Sequence, residues 1–344
     1  MASVPPRAPA VTVATAMRNA AATLPQAIES VLAQSFGDFE FLLLDDGSTD
    51  ASRAIAEGYA ARDPRIRVIA APPQGLVASL NQLFAQARAP WVARFDADDI
   101  CMPARLERQM AFLQAHPEHG LIGCETLFID ETGGPASTPP IRRPHDHDAI
   151  VAALEHGPIL CHSAVMVRRD LVRDAGGYRP AYVHAEDYDL WLRLAGRTRI
   201  ANLEECLLAY RVSATQVSSR HVVTQAHHAA IAWLAHRLRT ATGHDPTDGL
   251  TTLPDIDTLD ALLGPGSAAY ARTRVIDRVL FAPERLAGDA WPALKGHIAE
   301  AGPQPHLWRA ALRLLRSGHA LRGSQALLAL VAAGLTRRPV SVPA

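Results

Sequence analysis

The chain has 344 residues, which suits one domain of about 200–250 residues with an appendage, or two domains. Its 48% hydrophobic and 20% charged residues are ordinary for a globular protein with a sizeable core. The 34 basic and 35 acidic residues give a formal net charge of -1, so the basic excess of a nucleic-acid-binding protein is missing and no nucleic-acid partner is expected.

The first third of the chain alternates short apolar runs with amphipathic stretches. Strands are predicted over four apolar runs: Val11–Ala16, Phe39–Leu44, Ile66–Ala70 and Trp91–Phe95. Helices are predicted between or after them: Thr23–Ser35, Leu76–Ala87 and Pro103–His116. Thr23 and Gln26 have the spacing of a capping box at the start of the first helix. Alternation of this kind predicts a mostly parallel central sheet flanked by helices.

The pattern changes further along the chain. Beyond Leu121 it is mixed, with an apolar stretch over Ile159–Val167 and a predicted helix from Asp187 to Ala195. After about Arg220 only helical periodicity remains. We therefore expect an α/β domain over residues 1–220 and an all-helical region over residues 221–344.

Location is predicted from what the chain lacks. The N-terminal MASVPPRAPAVTV has no apolar run typical of a signal peptide, and the four cysteines are widely scattered. Apolar runs such as Ala326–Leu335 are well short of the roughly 20 residues that span a bilayer. We expect reduced thiols, a cytoplasmic location and no transmembrane helix.

Acidic residues follow two of the predicted strands. Asp96, Asp98 and Asp99 come directly after the fourth strand, and carboxylates are ligands that Mn²⁺ and Mg²⁺ prefer. The alternative is a solvated turn in which Asp98 or Asp99 caps the next helix. Asp45 and Asp46 follow the second strand, either as turn residues or as acceptors for a nucleobase or ribose. Ligands of parallel sheets bind at such strand ends.

A third group of acidic residues, Glu186-Asp187, stands at the start of a predicted helix that has an apolar face. Carboxylates at a helix N-terminus are favoured by the helix dipole, which is a sufficient structural explanation. A partly buried carboxylate there is also suited to act as a general base.

Four segments together resemble glycosyltransferase family 2. VTVATAMRNAAATLPQAIESVLAQSFGDFEFLLLDDGSTDAS is similar to the family's opening, and WVARFDADDICMPARLERQMAFLQAHPE to its Asp-X-Asp segment. PILCHSAVMVRRDLVRDAGGY and AEDYDLWLRL resemble its acceptor-side half. The resemblance runs from about Val11 to Ser218, with the motifs in the family's order.

The resemblance implies a GT-A nucleotide-diphospho-sugar transferase fold, with a nucleotide-binding half over about 10–120 and an acceptor half over about 121–220. It implies an inverting, metal-dependent glycosyltransferase that moves a sugar from a nucleotide-diphosphate donor, by default a UDP-sugar, to an acceptor hydroxyl. A glycan or lipid-linked acceptor in bacterial surface polysaccharide or glycoconjugate synthesis is expected.

The resemblance also implies roles for individual residues. Asp98, supported by Asp96, is the expected ligand of Mn²⁺ or Mg²⁺, and Asp187 with Glu186 beside it is the expected catalytic base. The expected nucleotide-sugar-binding residues are Ala16, Arg18, Asp45, Asp46, Gly75, Arg94, Asp96, Asp99, His162 and Trp191.

Three departures and one alternative qualify this expectation. Ala16 and Arg18 stand where the family usually has proline and tyrosine, although a guanidinium can also stack on a base. Ser213 stands where the family often has a histidine, which implies a weaker or more open metal site. The tail matches no known motif. For His162, a hydrogen-bonded structural role is the alternative.

Two other functions share some of these features. A nucleotidyltransferase usually has a glycine-rich basic loop after the first strand, which this chain lacks, and a non-catalytic nucleotide-sugar sensor would have lost an acidic motif. In the tail, an apolar stripe beside basic residues fits either a membrane surface or packing within the protein or on another subunit. The stripe consists of Trp308, Leu312 and Leu315, beside Arg309, Arg313 and Arg316.

Overall fold

The structure, a computed structural model, describes residues 8–138, 141–213 and 220–336. Its first half forms four parallel strands and three helices. The strands are β1 (Val11–Met17), β2 (Phe39–Asp46), β3 (Ile66–Ala71) and β4 (Trp91–Arg94), and the helices are α1 (Leu24–Leu32), α2 (Ser52–Ala60) and α3 (Leu76–Gln86). Every residue of β2 is buried, as expected where both faces of a parallel sheet are covered.

The second half of the sheet is mixed. Its elements are β5 (Ile100–Cys101), α4 (Arg105–Ala115), β6 (His119–Ile129), α5 (His147–Ala153), β7 (Met166–Arg168), α6 (Arg169–Asp174), α7 (Glu186–Leu194) and β8 (Arg199–Arg211). β7 pairs antiparallel with β4 and β6, β5 pairs antiparallel with β8, and β6 and β8 are parallel. Within the described ranges the eight strands have the order β3-β2-β1-β4-β7-β6-β8-β5.

The four predicted strands, β1 to β4, and the three predicted helices, α1, α3 and α4, are confirmed to within three residues at their ends. The capping box is wrong. The Thr23 hydroxyl makes no capping bond to α1 and donates instead to the carbonyl oxygen of Ala97 at 3.0 Å. Gln26 Oε1 accepts from the Arg211 guanidinium at 2.8 Å. Both side chains are thus used in long-range contacts that a local motif does not reveal.

The described residues divide into two compact units. The first, the α/β unit, contains residues up to Pro180 together with those from Glu186 to 213. The second, the helical unit, contains Ala181–Ala185 and the residues from 220 onward. Its helices are α8 (Val222–Thr242), α9 (Leu259–Leu263), α10 (Ser267–Val279), α11 (Pro283–Ala287), α12 (Trp291–Ala301), α13 (Pro305–Arg316) and α14 (Ala320–Thr336).

Within the helical unit, the segment Ala181–Ala185 is held by three hydrogen bonds. His228 Nδ1–H donates to the carbonyl of Val183 at 2.7 Å. The Gln225 amide donates to the carbonyl of His184 at 3.1 Å. The hydroxyls of Tyr182 and Thr247 lie 2.6 Å apart, so residues far along the chain fix this short segment.

The face of α13 that packs in the helical core is offset from the predicted stripe. Leu307, Ala310, Ala311 and Leu314 are buried. Of the predicted stripe, Trp308 and Leu315 are half-buried and Leu312 is exposed. The stripe is therefore not a free apolar face. Among the residues described, no helix has the length and apolar character needed to cross a membrane.

Candidate active site

Three carboxylates meet at the carboxyl end of β4. One carboxylate oxygen from each of Asp96, Asp98 and Asp99 lies within 4.8 Å of the others, and we call these residues the acidic cluster. Because β1, β2 and β4 run in the same direction, the loops that follow them meet at one edge of the sheet.

The backbone of the acidic cluster is fixed from several sides. The Thr15 hydroxyl donates to the carbonyl of Phe95 at 2.8 Å, and the Asp96 amide donates to the Ser163 hydroxyl at 3.0 Å. Arg211 donates its Nε–H to the carbonyl of Asp98 at 2.7 Å. These bonds hold the three carboxylates close together although their negative charges repel one another.

The acidic cluster is electrostatically strained without a cation. Burial and the neighbouring Asp96 raise the pKa of Asp98 to about 6, and burial raises the pKa of Asp99 well above its usual value. Asp99 Oδ1 accepts the Arg211 backbone N–H at 2.8 Å, whereas its Oδ2 is buried with no hydrogen-bond partner among the described residues. An unpartnered buried oxygen is costly, and a hard divalent cation satisfies such a group. The residues present therefore fit Mn²⁺ or Mg²⁺.

Arg94 supplies a positive charge beside the acidic cluster. It is 4% exposed, and its guanidinium forms an ion pair with Asp96. One carboxylate of the three is thus held in an ion pair by the protein.

Asp187 lies at the start of α7, half-buried. Burial raises its pKa to about 6, with opposing influences from Arg94, which lowers the pKa, and Asp96, which raises it. Asp187 Oδ1 accepts the Tyr188 backbone N–H at 2.7 Å. Its neighbour Glu186 is buried. Asp187 thus lies within electrostatic range of the acidic cluster and has a pKa suited to accepting a proton near neutral pH.

Asp189, on the same helix, has a different environment. It forms ion pairs with Arg179 and, at 2.8 Å, with Arg193. Arg193 also donates to the carbonyls of Ala175 and Gly177 at 2.6 and 2.8 Å. Two guanidinium groups hold the charge of Asp189, which makes it a structural residue.

His162 lies against two aromatic side chains. Its Nε2 is 2.9 Å from the Tyr178 hydroxyl, and its ring meets the Trp191 ring edge-to-face with 5.9 Å between centroids. Burial, and then Arg94, lowers the pKa of His162 well below its usual value, so its imidazole is neutral at pH 7. The indole N–H of Trp191 is buried without a hydrogen-bond partner in the described part of the chain.

Comparisons with known proteins identify the family to which this chain belongs. The family model described as Glycosyl transferase family 2 matches residues 12–176. EpsE, a protein of Bacillus subtilis (strain 168) named as a glycosyltransferase, is 37% identical over 210 residues, which cover 59% of this chain and 73% of EpsE. This chain belongs to glycosyltransferase family 2. The amylovoran biosynthesis glycosyltransferase AmsE of Erwinia amylovora is 32% identical over 199 residues, covering 57% of this chain and 73% of AmsE.

Solved structures show that the fold is GT-A, as predicted. S. aureus TarS 1-349 in complex with UDP-GlcNAc superposes with a TM-score of 0.58 at 14% identity, covering 94% of this chain and 88% of TarS 1-349. The mannosyltransferase PcManGT of Pyrobaculum calidifontis, in complex with GDP-Man and Mn²⁺, has a TM-score of 0.51 at 22% identity, covering 96% and 87% of the two chains. Membership of family 2 separates this glycosyltransferase from the nucleotidyltransferases considered above.

The predicted nucleotide-side residues of this glycosyltransferase lie at the carboxyl ends of β1 and β2 and just beyond them. Asp46 accepts the backbone N–H groups of Gln74 at 2.8 Å and Gly75 at 3.1 Å, so its carboxylate fixes the loop before α3. Asp45 Oδ1 accepts the Ser48 backbone N–H at 3.1 Å. At the end of β1, Ala16 is half-buried and Arg18 is exposed. Nucleotide contacts of these residues stay predictions.

Three residues near the site were not predicted. Asn19 has a positive φ of 52°, and its Oδ1 accepts the Thr49 backbone N–H at 2.8 Å. Asparagine tolerates this conformation better than most residues, which is the only sequence signal for it. Tyr178 and Arg211 act over long sequence separations, and no local pattern identifies them. Ser213 lies two residues beyond β8 and is half-buried.

We expect Gly47→Ala to destabilise the protein more than Gly75→Ala. Both glycines have a positive φ, 69° and 86°, which costs an alanine about 1–3 kcal/mol. A Cβ on Gly47 would also lie 2.5 Å from Pro73 Cγ, whereas a Cβ on Gly75 would meet nothing within 4 Å. The clash adds about 1 kcal/mol or more. Urea unfolding of both variants measures the difference, and equal losses would contradict it.

Proposed function

We propose that this family 2 glycosyltransferase moves a sugar from a nucleoside-diphosphate donor to an acceptor hydroxyl with inversion at the anomeric carbon. The observation that carries the proposal is the acidic cluster, with a buried, unpartnered oxygen on Asp99 and a carboxylate of raised pKa, Asp187, within its electrostatic range. The cluster suits a diphosphate–metal site, and Asp187 suits a base.

We assign the metal site to Asp98 with support from Asp96, and Asp99 to the donor-sugar side. A bound Mn²⁺ or Mg²⁺ supplies neutralisation of the negative charge on the departing diphosphate. Arg94 holds Asp96 through their ion pair, and Arg211 holds the backbone of Asp98 and the carboxylate of Asp99. These contacts keep the carboxylates in place before the donor binds, which reduces the reorganisation needed for catalysis.

Asp187 takes the proton of the acceptor hydroxyl. As that proton moves to the carboxylate, the acceptor oxygen forms a bond to the anomeric carbon on the face opposite the leaving group. The bond from the anomeric carbon to the diphosphate oxygen breaks in the same displacement, so the configuration inverts. A pKa of about 6 leaves Asp187 mostly deprotonated at pH 7 while keeping it more basic than an ordinary aspartate.

The substrates are proposed by analogy with proteins to which this chain is similar. TarS was solved with UDP-GlcNAc and PcManGT with GDP-Man, so the fold accommodates more than one base, and we propose a UDP-sugar as donor. AmsE is named for amylovoran biosynthesis and WbnJ of Escherichia coli for O-antigen biosynthesis. A growing glycan or lipid-linked acceptor for a bacterial surface polysaccharide is the corresponding proposal.

A thermal-shift screen of UDP-, GDP-, dTDP- and CDP-sugars, each with and without Mn²⁺, tests the donor site. We expect sugars of one nucleotide class to raise the melting temperature only when Mn²⁺ is present. A donor at 100 times its Kd stabilises the folded state by about 2.7 kcal/mol through mass action. A protein that melts cooperatively but responds to none of these donors would contradict the proposal.

A further inference from the structure

A second cluster of ligating side chains lies away from the acidic cluster. His116 and Glu118 lie between α4 and β6, and His119 is the first residue of β6; we call these three residues the histidine turn. β4 and β6 both pair antiparallel with β7, so they run in the same direction. The acidic cluster follows the carboxyl end of β4 and the histidine turn lies at the amino end of β6, which places them at opposite edges of the sheet.

The three side chains of the histidine turn converge on one point. Glu118 Oε1 lies 3.6 Å from His116 Nδ1 and 3.1 Å from His119 Nδ1, and the three atoms are within 4.8 Å of one another. Tetrahedral Zn²⁺ binds imidazole nitrogen and carboxylate oxygen at about 2.0–2.2 Å, which separates neighbouring ligand atoms by roughly 3.3–3.5 Å. The two observed distances bracket that separation.

His119 is the buried member of the histidine turn. It is 8% exposed, and its Nδ1 lies 3.1 Å from Glu118 Oε1, so the two ligand atoms face the same point. Metal ions bind the unprotonated nitrogen of an imidazole, and an ion held here would also be held by the neighbouring carboxylate.

The local structure holds both rings before any ion binds. The Phe112 ring packs against the His116 and His119 rings, with centroid distances of 4.4 and 5.2 Å. The two imidazoles are inclined at 82° to each other. The His119 backbone N–H donates to the carbonyl of His116 at 3.0 Å, which closes the turn. Little conformational entropy is then lost when the ion binds.

We propose that the histidine turn binds a transition-metal ion of the Zn²⁺ class through His116, Glu118 and His119. Two imidazoles and a carboxylate favour such an ion over Mn²⁺ or Mg²⁺, which prefer the all-oxygen acidic cluster. His116 and Glu118 have side chains 48% and 50% exposed, so the ion can enter and water can complete its coordination. The nearby positive charge of Arg199 opposes the ion, and we expect binding in the micromolar range.

Isothermal titration calorimetry of Zn²⁺ into the metal-free whole chain at pH 7.5 tests the proposal. We expect the tightest site to bind one Zn²⁺, and His116→Gln to raise its Kd at least tenfold. His119→Gln should do the same, but His119 is buried, so the variant at half-exposed His116 disturbs the fold less. His244→Gln, at an exposed histidine outside the turn, is the matched control and should leave the Kd unchanged.

Two results would overturn the zinc site. In the first, His116→Gln binds Zn²⁺ with the stoichiometry and Kd of the unmodified protein. In the second, the tightest site is lost in Asp98→Asn and kept in His116→Gln, which would place the ion in the acidic cluster. Neither result depends on glycosyl transfer, so this test is independent of the proposed function.

Discussion

Replacing Asp187 with asparagine is expected to lower kcat by about 10²–10⁴-fold, the usual contribution of a positioned general base. Asparagine keeps the size of the side chain and can still accept the Tyr188 backbone N–H that Asp187 accepts at 2.7 Å. It cannot take the acceptor proton. Donor binding should change little, because the proposed donor contacts lie in the acidic cluster. Steady-state kinetics and donor titration of the same preparation measure both quantities.

The pH dependence of kcat/KM of the unmodified enzyme should report the ionisation of Asp187. Asp187 acts as a base only when deprotonated, and its raised pKa of about 6 sets where activity is lost on acidification. We expect kcat/KM to be level above pH 7 and to fall tenfold per pH unit below about pH 6. The residual activity of Asp187→Asn should lack this fall.

Asp189→Asn is the matched control on the same helix. It removes the charge that Arg179 and Arg193 share, so the buried guanidinium groups lose their partner. We expect a stability loss of about 3–5 kcal/mol, with the acidic limb of the pH profile kept in the protein that remains folded. The base assignment would be wrong if Asp187→Asn kept full kcat, or if it lost donor affinity in parallel with activity.

The second large effect is expected for Asp98→Asn. This variant should lose Mn²⁺-dependent donor binding. In the absence of metal it should nevertheless be more stable than the unmodified protein. In the folded state the pKa of Asp98 rises from 3.8 to about 6. A carboxyl with a raised folded pKa stabilises the fold in its protonated form, and that stability is lost as the pH rises through 6. The cost above pH 7 is up to about 3 kcal/mol, and the amide variant avoids it.

Denaturant unfolding in the presence of a chelator at pH 5 and pH 7.5 measures the part of this cost that arises between these pH values, about 1.4 kcal/mol. The unmodified protein should lose more stability between these two pH values than Asp98→Asn does. Asp248→Asn, at an exposed carboxylate in the helical unit, should behave like the unmodified protein. Unchanged donor affinity of Asp98→Asn with Mn²⁺ would remove Asp98 from the proposed metal site.

Much of the first half of the fold was predictable because its signals are local. The apolar runs of β1, β2 and β4 are mostly buried. The acidic residues Asp45 and Asp46 end β2, and Asp96 lies two residues beyond β4. α2 was not predicted, because Ser52–Ala60 follows the turn residues Gly47 to Asp50 and contains a glycine. β6 and β8 were not resolved as strands, since neither shows a clean alternation and their pairing joins residues far apart.

The same limit applies to the candidate site. Asp187 and Asp189 lie two residues apart, and only the family resemblance singled out Asp187 in the sequence. The folded chain shows that Arg179 and Arg193 hold Asp189. The bond from the Arg211 backbone to Asp99 joins residues 112 positions apart. Asp46 was assigned to the nucleotide by resemblance, whereas its observed hydrogen bonds are to the loop before α3. Residue type identified the chemistry available, and tertiary contacts decided how each carboxylate is used.

The membership of Ala181–Ala185 in the helical unit affects how family members can exchange their C-terminal regions. The chain enters that unit, returns to the α/β unit at Glu186 and enters it again, so no single cut releases both units whole. A protein shortened to residue 213 would keep this segment but lose Gln225, His228 and Thr247, which hold it. A chimaera that takes its helices from another relative therefore has to take the matching five residues as well, immediately before the proposed base.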